Sequence, residues 1–160
     1  MPQKKRAASV ADFQLATFLP FRLAVVTDHV VRIFSEKYEG SSNLTIPEWR
    51  AIAVIAEHGT LSPTAVGQLG VMDKVKVSRA TQSLVAKGLL RPRQDPGDGR
   101  VRLLRLTRKG VAIHARIVRL ATELEATLFD DLSRNDLNAL DRILSKVKSR
   151  VETAREAGPA

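Results

Sequence analysis

The chain has 160 residues, 44% of them hydrophobic, with 26 Lys and Arg against 17 Asp and Glu. That length suits one domain, or two small lobes sharing a core, and the apolar fraction is enough to bury one. There is no Cys, which excludes disulfides, thiol catalysis and thiolate metal sites and fits a reducing cytoplasm; no apolar run nears the roughly 18 residues that span a membrane.

The net charge of +9 is not spread evenly. Between residues 62 and 110 lie eleven bases (Lys74, Lys76, Arg79, Lys87, Arg91, Arg93, Arg100, Arg102, Arg105, Arg108, Lys109) and three acids (Asp73, Asp95, Asp98). This window carries +8; residues 1–61 sum to +1 and residues 111–160 to zero. Charge concentrated in this way marks a surface that meets a polyanion. Aromatic residues are only 4%, which argues against recognition by base stacking.

In chain order, residues 1–10 read as a flexible basic tail, with Lys4, Lys5 and Arg6 and no signal-type apolar stretch after them. From Asp12 to about Lys37 apolar residues recur at helical spacing, and Gly40-Ser41-Ser42-Asn43 ends the helix. Thr45-Ile46-Pro47-Glu48 is a capping box for a second helix, which runs to His58-Gly59. Ser62-Pro63 opens a short third helix, and Asp73 caps a fourth that stops at Gly88. The period then changes. Residues 89–93 and 101–106 read as strands around the turn-rich Gln94–Gly99, a β-hairpin with a basic tip. A long fifth helix follows the Leu-Thr-Arg-Lys-Gly segment at 106–110 and breaks at Leu132-Ser133. Ser133 caps the last helix, where Leu137, Leu140, Leu144, Val147 and Val151 form a seam that calls for a helical partner.

The order predicts a mainly α, α+β fold. A winged helix-turn-helix lobe at 44–110 is flanked by segments 11–43 and 111–157, which form a helical dimerisation lobe. The first and last helices bury their stripes by pairing, which points to a homodimer.

On the fourth helix Val77, Thr81 or Ala80, Leu84 and Gly88 share one face and pack inward. Lys74, Lys76, Ser78, Arg79, Gln82 and Ser83 face outward: Arg and Lys suit guanine O6/N7, Gln suits adenine, and Ser suits either. The same pattern would also serve an ordinary solvated helix face. Among Arg91, Arg93, Arg102 and Arg105 of the hairpin, two are expected on phosphates, with Arg93 and Arg102 as the candidates; the register is open at this stage. Arg100 at the tip suits a narrow minor groove, with Asp98 two residues away to brace it. Asp98-Gly99 also makes sense simply as a turn.

These residues resemble the MarR family of winged-helix transcriptional regulators. The marks are Leu44-Thr45, the run Leu84-Val85-Ala86-Lys87-Gly88-Leu89-Leu90, Asp98-Gly99-Arg100, and Leu106-Thr107 with Gly110. The family's wing usually reads Asp-Arg-Arg, and Gly99 takes the middle position here. The resemblance implies an obligate homodimer on a palindromic double-stranded operator, often with a small-molecule inducer. It also implies where such a ligand would lie, between the dimer helices and the winged lobe. The candidates there are Phe18, Phe21, Arg22, Val25, Trp49, Ala53, His114 and Ile117. Arg22, in an apolar stretch, could receive a carboxylate or phosphate bidentately, or could snorkel to water. The mixture of Phe, Trp and Arg suits an aromatic carboxylate or its thioester.

No catalytic constellation is visible. His29, His58 and His114 fall on three different helices, a metal site from His29 and His114 is the weaker reading, and neither a cofactor nor a membrane is called for. The reading is a ligand-responsive repressor; the alternative is an architectural protein that binds DNA without sequence preference.

Overall fold

The computed structural model describes residues 13–42, 44–94, 97 and 102–157. The basic tail at 1–10, and Asp98 and Arg100 at the wing tip, lie outside the described residues. The chain divides into two compact units, Met1–Ala121 and Thr122–Ala160.

The first unit opens with a single 3-10 turn, Leu15–Thr17, before α1, Leu19–Ser42. The sequence predicts one helix from Asp12, and the break has a local cause. Pro20 has no N–H to donate and fits only the first turn of a helix, so α1 starts beside it. At its other end α1 stops at Ser42, within the expected Gly40-Ser41-Ser42-Asn43 segment.

α2 spans Ile46–His58. Its capping box forms, with the Thr45 N–H donating to Glu48 Oε2 at 2.6 Å. Ser62 caps α3, Pro63–Leu69, by accepting from the Ala65 N–H at 3.2 Å. Asp73 caps α4, Lys74–Ala86, by accepting from the Lys76 N–H at 2.8 Å. The turn between α3 and α4 is tight. The Met72 N–H donates to the Gly67 carbonyl at 2.8 Å, and a Cβ on Gly67 would sit 3.3 Å from both Met72 O and a Val77 methyl carbon.

After α4 the chain reverses in a Schellman motif. Gly88 takes φ +69°, the Leu89 N–H donates to Leu84 O and the Gly88 N–H to Val85 O. Strands β1, Leu90–Gln94, and β2, Arg102–Leu106, then pair antiparallel, Leu90 opposite Leu106 and Gln94 opposite Arg102. Leu61 adds a bridge on the far side of β2, exchanging both backbone bonds with Leu104 at 3.0 and 2.7 Å. β1 is thereby left as an edge strand, where Pro92 is tolerated. Nothing in the sequence anticipates the Leu61 bridge, since one residue carries no strand period.

The core of this unit is built where α2 packs on α3, α4 and β2. Ala51, Ile52 and Ile55 from α2, Val66 from α3, Val77, Ala80 and Leu84 from α4, and Leu90 and Leu104 from the strands are all buried. The inward face expected for α4 is observed at Val77, Ala80, Thr81 and Leu84, with the Thr81 hydroxyl donating back to Val77 O at 2.8 Å. Gly88, expected on that face, is instead exposed just beyond the helix end, where it makes the turn.

α5, Arg108–Phe129, begins in the first unit and continues into the second, where α6, Arg134–Glu156, follows. Ser133 and Asp136 form the capping box that opens α6. Along α6 the apolar side chains of Leu137, Leu140, Ile143, Leu144, Val147 and Val151 are all exposed in the single chain. Among the described residues no helix is long and apolar enough to cross a membrane.

Candidate nucleic-acid interface

α4 is held on the core by Val77, Ala80, Thr81 and Leu84, and this fixes which side chains point away. Lys74, Lys76, Ser78, Arg79 and Gln82 are exposed. Gln82 Nε2 donates to Ser78 Oγ at 3.3 Å, and Lys76 Nζ lies 3.2 Å from Asp73 Oδ2. The Lys76 backbone and side chain hold the Asp73 carboxyl below its usual pKa, so the cap stays ionised. Lys74 and Lys76 occupy the first turn, where the positive end of the helix dipole opposes them. The Lys76–Asp73 pair is exposed and contributes little to folding, and the ammonium groups of Lys74 and Lys76 both stand where a phosphate could reach them.

Ser83 departs from the outward set. It is half-buried and its side chain bonds to Glu48, so it braces α4 against α2. Glu48 is 2% exposed, and Lys87 Nζ donates to its Oε1 at 2.7 Å. Burial alone would raise the Glu48 pKa. The bonds from Lys87, Ser83 and the Thr45 N–H, together with the Lys87 charge, outweigh it and hold the carboxyl below its ordinary value. The sequence marks Glu48 as a cap; it has no local signal for the Lys87 partner.

The register sorts the wing arginines. Arg91 faces Arg105 and Arg93 faces Leu103 on one side of the ribbon; Pro92 with Leu104 and Gln94 with Arg102 lie on the other. Leu90 and Leu104 make that second side the core side. Arg93 thus points outward with Arg91 and Arg105, and Arg102 lies on the opposite face, exposed where the ribbon leaves the core. Two like charges, Arg91 and Arg105, are directly opposed, an arrangement that an anion between them would relieve.

Thr107 joins the wing to α5. Its hydroxyl accepts from the Gly110 N–H at 3.1 Å and donates to Gly88 O at 2.8 Å. Lys109 Nζ donates to Lys87 O at 3.1 Å, at the end of α4. A Cβ on Gly110 would fall 2.2 Å from Leu89 O, so only glycine lets α5 start this close to the strand.

Of the candidate ligand residues, Phe18, Phe21 and Arg22 are exposed, Val25, Trp49, Ala53 and His114 are half-buried, and Ile117 is buried. Trp49 packs edge-on against Phe34, with ring centroids 5.1 Å apart, and its Nε1 is buried with no hydrogen-bond partner. Among the described residues no group of three or more His, Cys, Asp or Glu could hold a metal ion.

A short helix, a tight turn and a second helix with a cationic outward face, backed by a two-stranded wing, define a winged helix-turn-helix. The sequence profile of the MarR family matches residues 42–101. The HTH-type transcriptional repressor IacR of Pseudomonas putida is 25% identical over 111 residues, 69% of this chain. The match spans 66% of that protein, just under two thirds of its length. BpsR of Bordetella bronchiseptica, solved in a study of how 6-hydroxynicotinic acid regulates its DNA binding, superposes with a TM-score of 0.78 at 24% identity. That alignment covers 85% of this chain and 96% of BpsR. A point mutant of MarR from E. coli, complexed with operator DNA, gives 0.75 at 23% identity, over 88% of this chain and 99% of that one. The winged-helix segment of the chain, residues 42–101, is thus similar to the MarR family.

Proposed function

We propose that this chain is a homodimeric, sequence-specific DNA-binding regulator, a cytoplasmic repressor, that leaves a palindromic operator when a small anionic aromatic ligand or its thioester binds. The observation that carries the reading is the outward face of α4, where Lys74, Lys76, Ser78, Arg79 and Gln82 stand exposed on a helix anchored from behind. These are groups that hydrogen-bond to base edges and phosphates, and the N-terminal half of such a helix enters the major groove. Arg93 and Arg102 contact the backbone beside it, Arg100 enters the minor groove with Asp98 bracing it, and Ser83 holds α4 in register.

Segments 11–43 and 111–157 form the dimerisation lobe, and the exposed apolar residues of α6 are its seam. The ligand lies among Phe18, Phe21, Arg22, Val25, Trp49, Ala53, His114 and Ile117. The unpartnered Trp49 Nε1 supports this, because a buried donor without an acceptor favours a ligand that brings one. So does BpsR, whose DNA binding is regulated by an aromatic acid.

A salt series on two duplexes tests the reading. One duplex carries the sequence enriched from a random pool by the full chain; the other is a scrambled control of equal length. Both affinities should fall with salt, and the selected duplex should stay at least about a thousandfold tighter. A ratio near one would mean an architectural DNA-coating protein instead.

A further inference from the structure

The outward strip of α4 contains one residue that folding does not explain. Val75 is 59% exposed, in the first turn of the helix, and is not part of the core. At 3.6 residues per turn it lies roughly opposite the buried strip of Val77, Ala80, Thr81 and Leu84. Arg79, four residues on, and Gln82, seven on, continue the same outward row, and Ser78 adjoins it. Lys74 and Lys76 flank Val75 on either side of that row. A β-branched side chain at an exposed helical position lowers helix propensity and buries nothing. Its place is therefore at the centre of the cationic, polar face, nearest the end of the helix that enters a groove.

In the major groove one base offers an apolar contact: thymine, through its C5 methyl. We infer that Val75 packs on a thymine methyl in each half-site and is a specificity-determining residue of the interface. The inference rests on the reading of α4 as the recognition helix. The flanking lysines neutralise phosphates and bring the helix close, and Arg79 and Gln82 offer polar readout of neighbouring bases. Val75 has no donor or acceptor and cannot replace them. It selects by shape and by removal of a methyl group from water.

The test uses the full chain and the duplex selected as above. Half-site thymines are replaced by deoxyuridine, one symmetric pair at a time, which removes only the methyl group. At one pair the native chain should lose about fourfold in affinity per half-site, the effect of exposing one buried carbon. At that pair Val75→Ala should show less than about half of that loss, because its shortened side chain no longer reaches. Val75 is exposed, so the alanine variant should keep the native helix content and melt no lower than the native chain. Two results would overturn the inference: no deoxyuridine pair affects the native chain, or Val75→Ala is as sensitive as the native chain at every pair. If no sequence is enriched from the pool at all, the operator reading itself fails and the Val75 contact fails with it.

Discussion

Lys87 Nζ lies 2.7 Å from Glu48 Oε1, although 39 residues separate the two in sequence. Glu48 sits in the first turn of α2 and Lys87 at the C-terminal cap of α4, so this bond ties the start of one helix to the end of the other. The carboxylate is buried and the lysine about one-third exposed. Losing the lysine would leave a buried charge without its main partner, which costs far more than an exposed pair contributes.

Glu48 is held below its ordinary pKa of 4.5. A lowered native pKa means that the ionised group stabilises the fold fully above the unfolded value and loses that contribution as pH falls through the native one. At pH 7, Lys87→Met should cost about 1–3 kcal/mol. Glu48→Gln should also be less stable than the native chain at pH 7, and the gap should close as the pH is lowered below about 4.5. Thermal melts of both chains from pH 7 to pH 3 check this. A gap that stays constant over that range would show that the charge of Glu48 does not contribute.

Three backbone positions should respond differently to small substitutions. Gly110→Ala forces a Cβ onto Leu89 O and should destabilise by about 3 kcal/mol or more, because the neighbour is main chain and cannot rotate away. Gly88→Ala meets nothing within 4 Å and bears only the left-handed φ, so about 1–2 kcal/mol is expected. Val71 is the reverse case, a β-branched residue at φ +52° in the turn before α4. Val71→Asn should raise stability by about 1 kcal/mol. Urea melts rank all three against the native chain, and the order Gly110, Gly88, native, Val71 is the expected outcome.

The α6 seam bears on assembly. Leu140 is 36% and Leu144 46% exposed in the single chain, too much apolar surface on one helix face to leave in water. Light scattering at micromolar concentration should return the mass of a dimer. With Leu140→Asp and Leu144→Asp together it should return a monomer or insoluble chain. A monomeric native protein would remove the dimer, and with it the palindromic operator.

Operator affinity should fall more than tenfold with Arg79→Ala or with Arg100→Ala, each variant losing one groove contact in both half-sites at about 1–3 kcal/mol apiece. Lys109→Ala should matter less, since Lys109 Nζ already donates to the Lys87 carbonyl. Equal, small losses for all three, measured at one salt concentration, would favour uniform DNA coating.

Arg22 tests the ligand site. A panel of aromatic acids and their thioesters should contain one that weakens operator binding about a hundredfold, which needs about 2.7 kcal/mol of preference for the DNA-free arrangement. Arg22→Ala should blunt that response and leave ligand-free DNA affinity within about threefold. Unchanged induction in the variant would take Arg22 out of the site.

The helices and the outward face of α4 are legible in the chain because their signals are local. Ser62, Asp73 and Ser133 cap within their own first turn, and the 3.6-residue period that buries Val77, Ala80 and Leu84 also turns Arg79 outward. The start of α1 is missed when apolar spacing is followed through Pro20, whose missing N–H is just as local a signal.

What only the tertiary structure decided are contacts between residues far apart in sequence. Strand alternation is compatible with more than one pairing, and a slip of one residue would put Arg93 and Arg102 on the same face; Leu90 and Leu104 decide the register by entering the core together. Ser83 occupies a helical position that periodicity alone turns outward, and Glu48 draws it in. Glu48 itself can be recognised as a cap from three neighbouring residues, but its bond to Lys87 exists only because α2 and α4 pack together, and no local pattern encodes that.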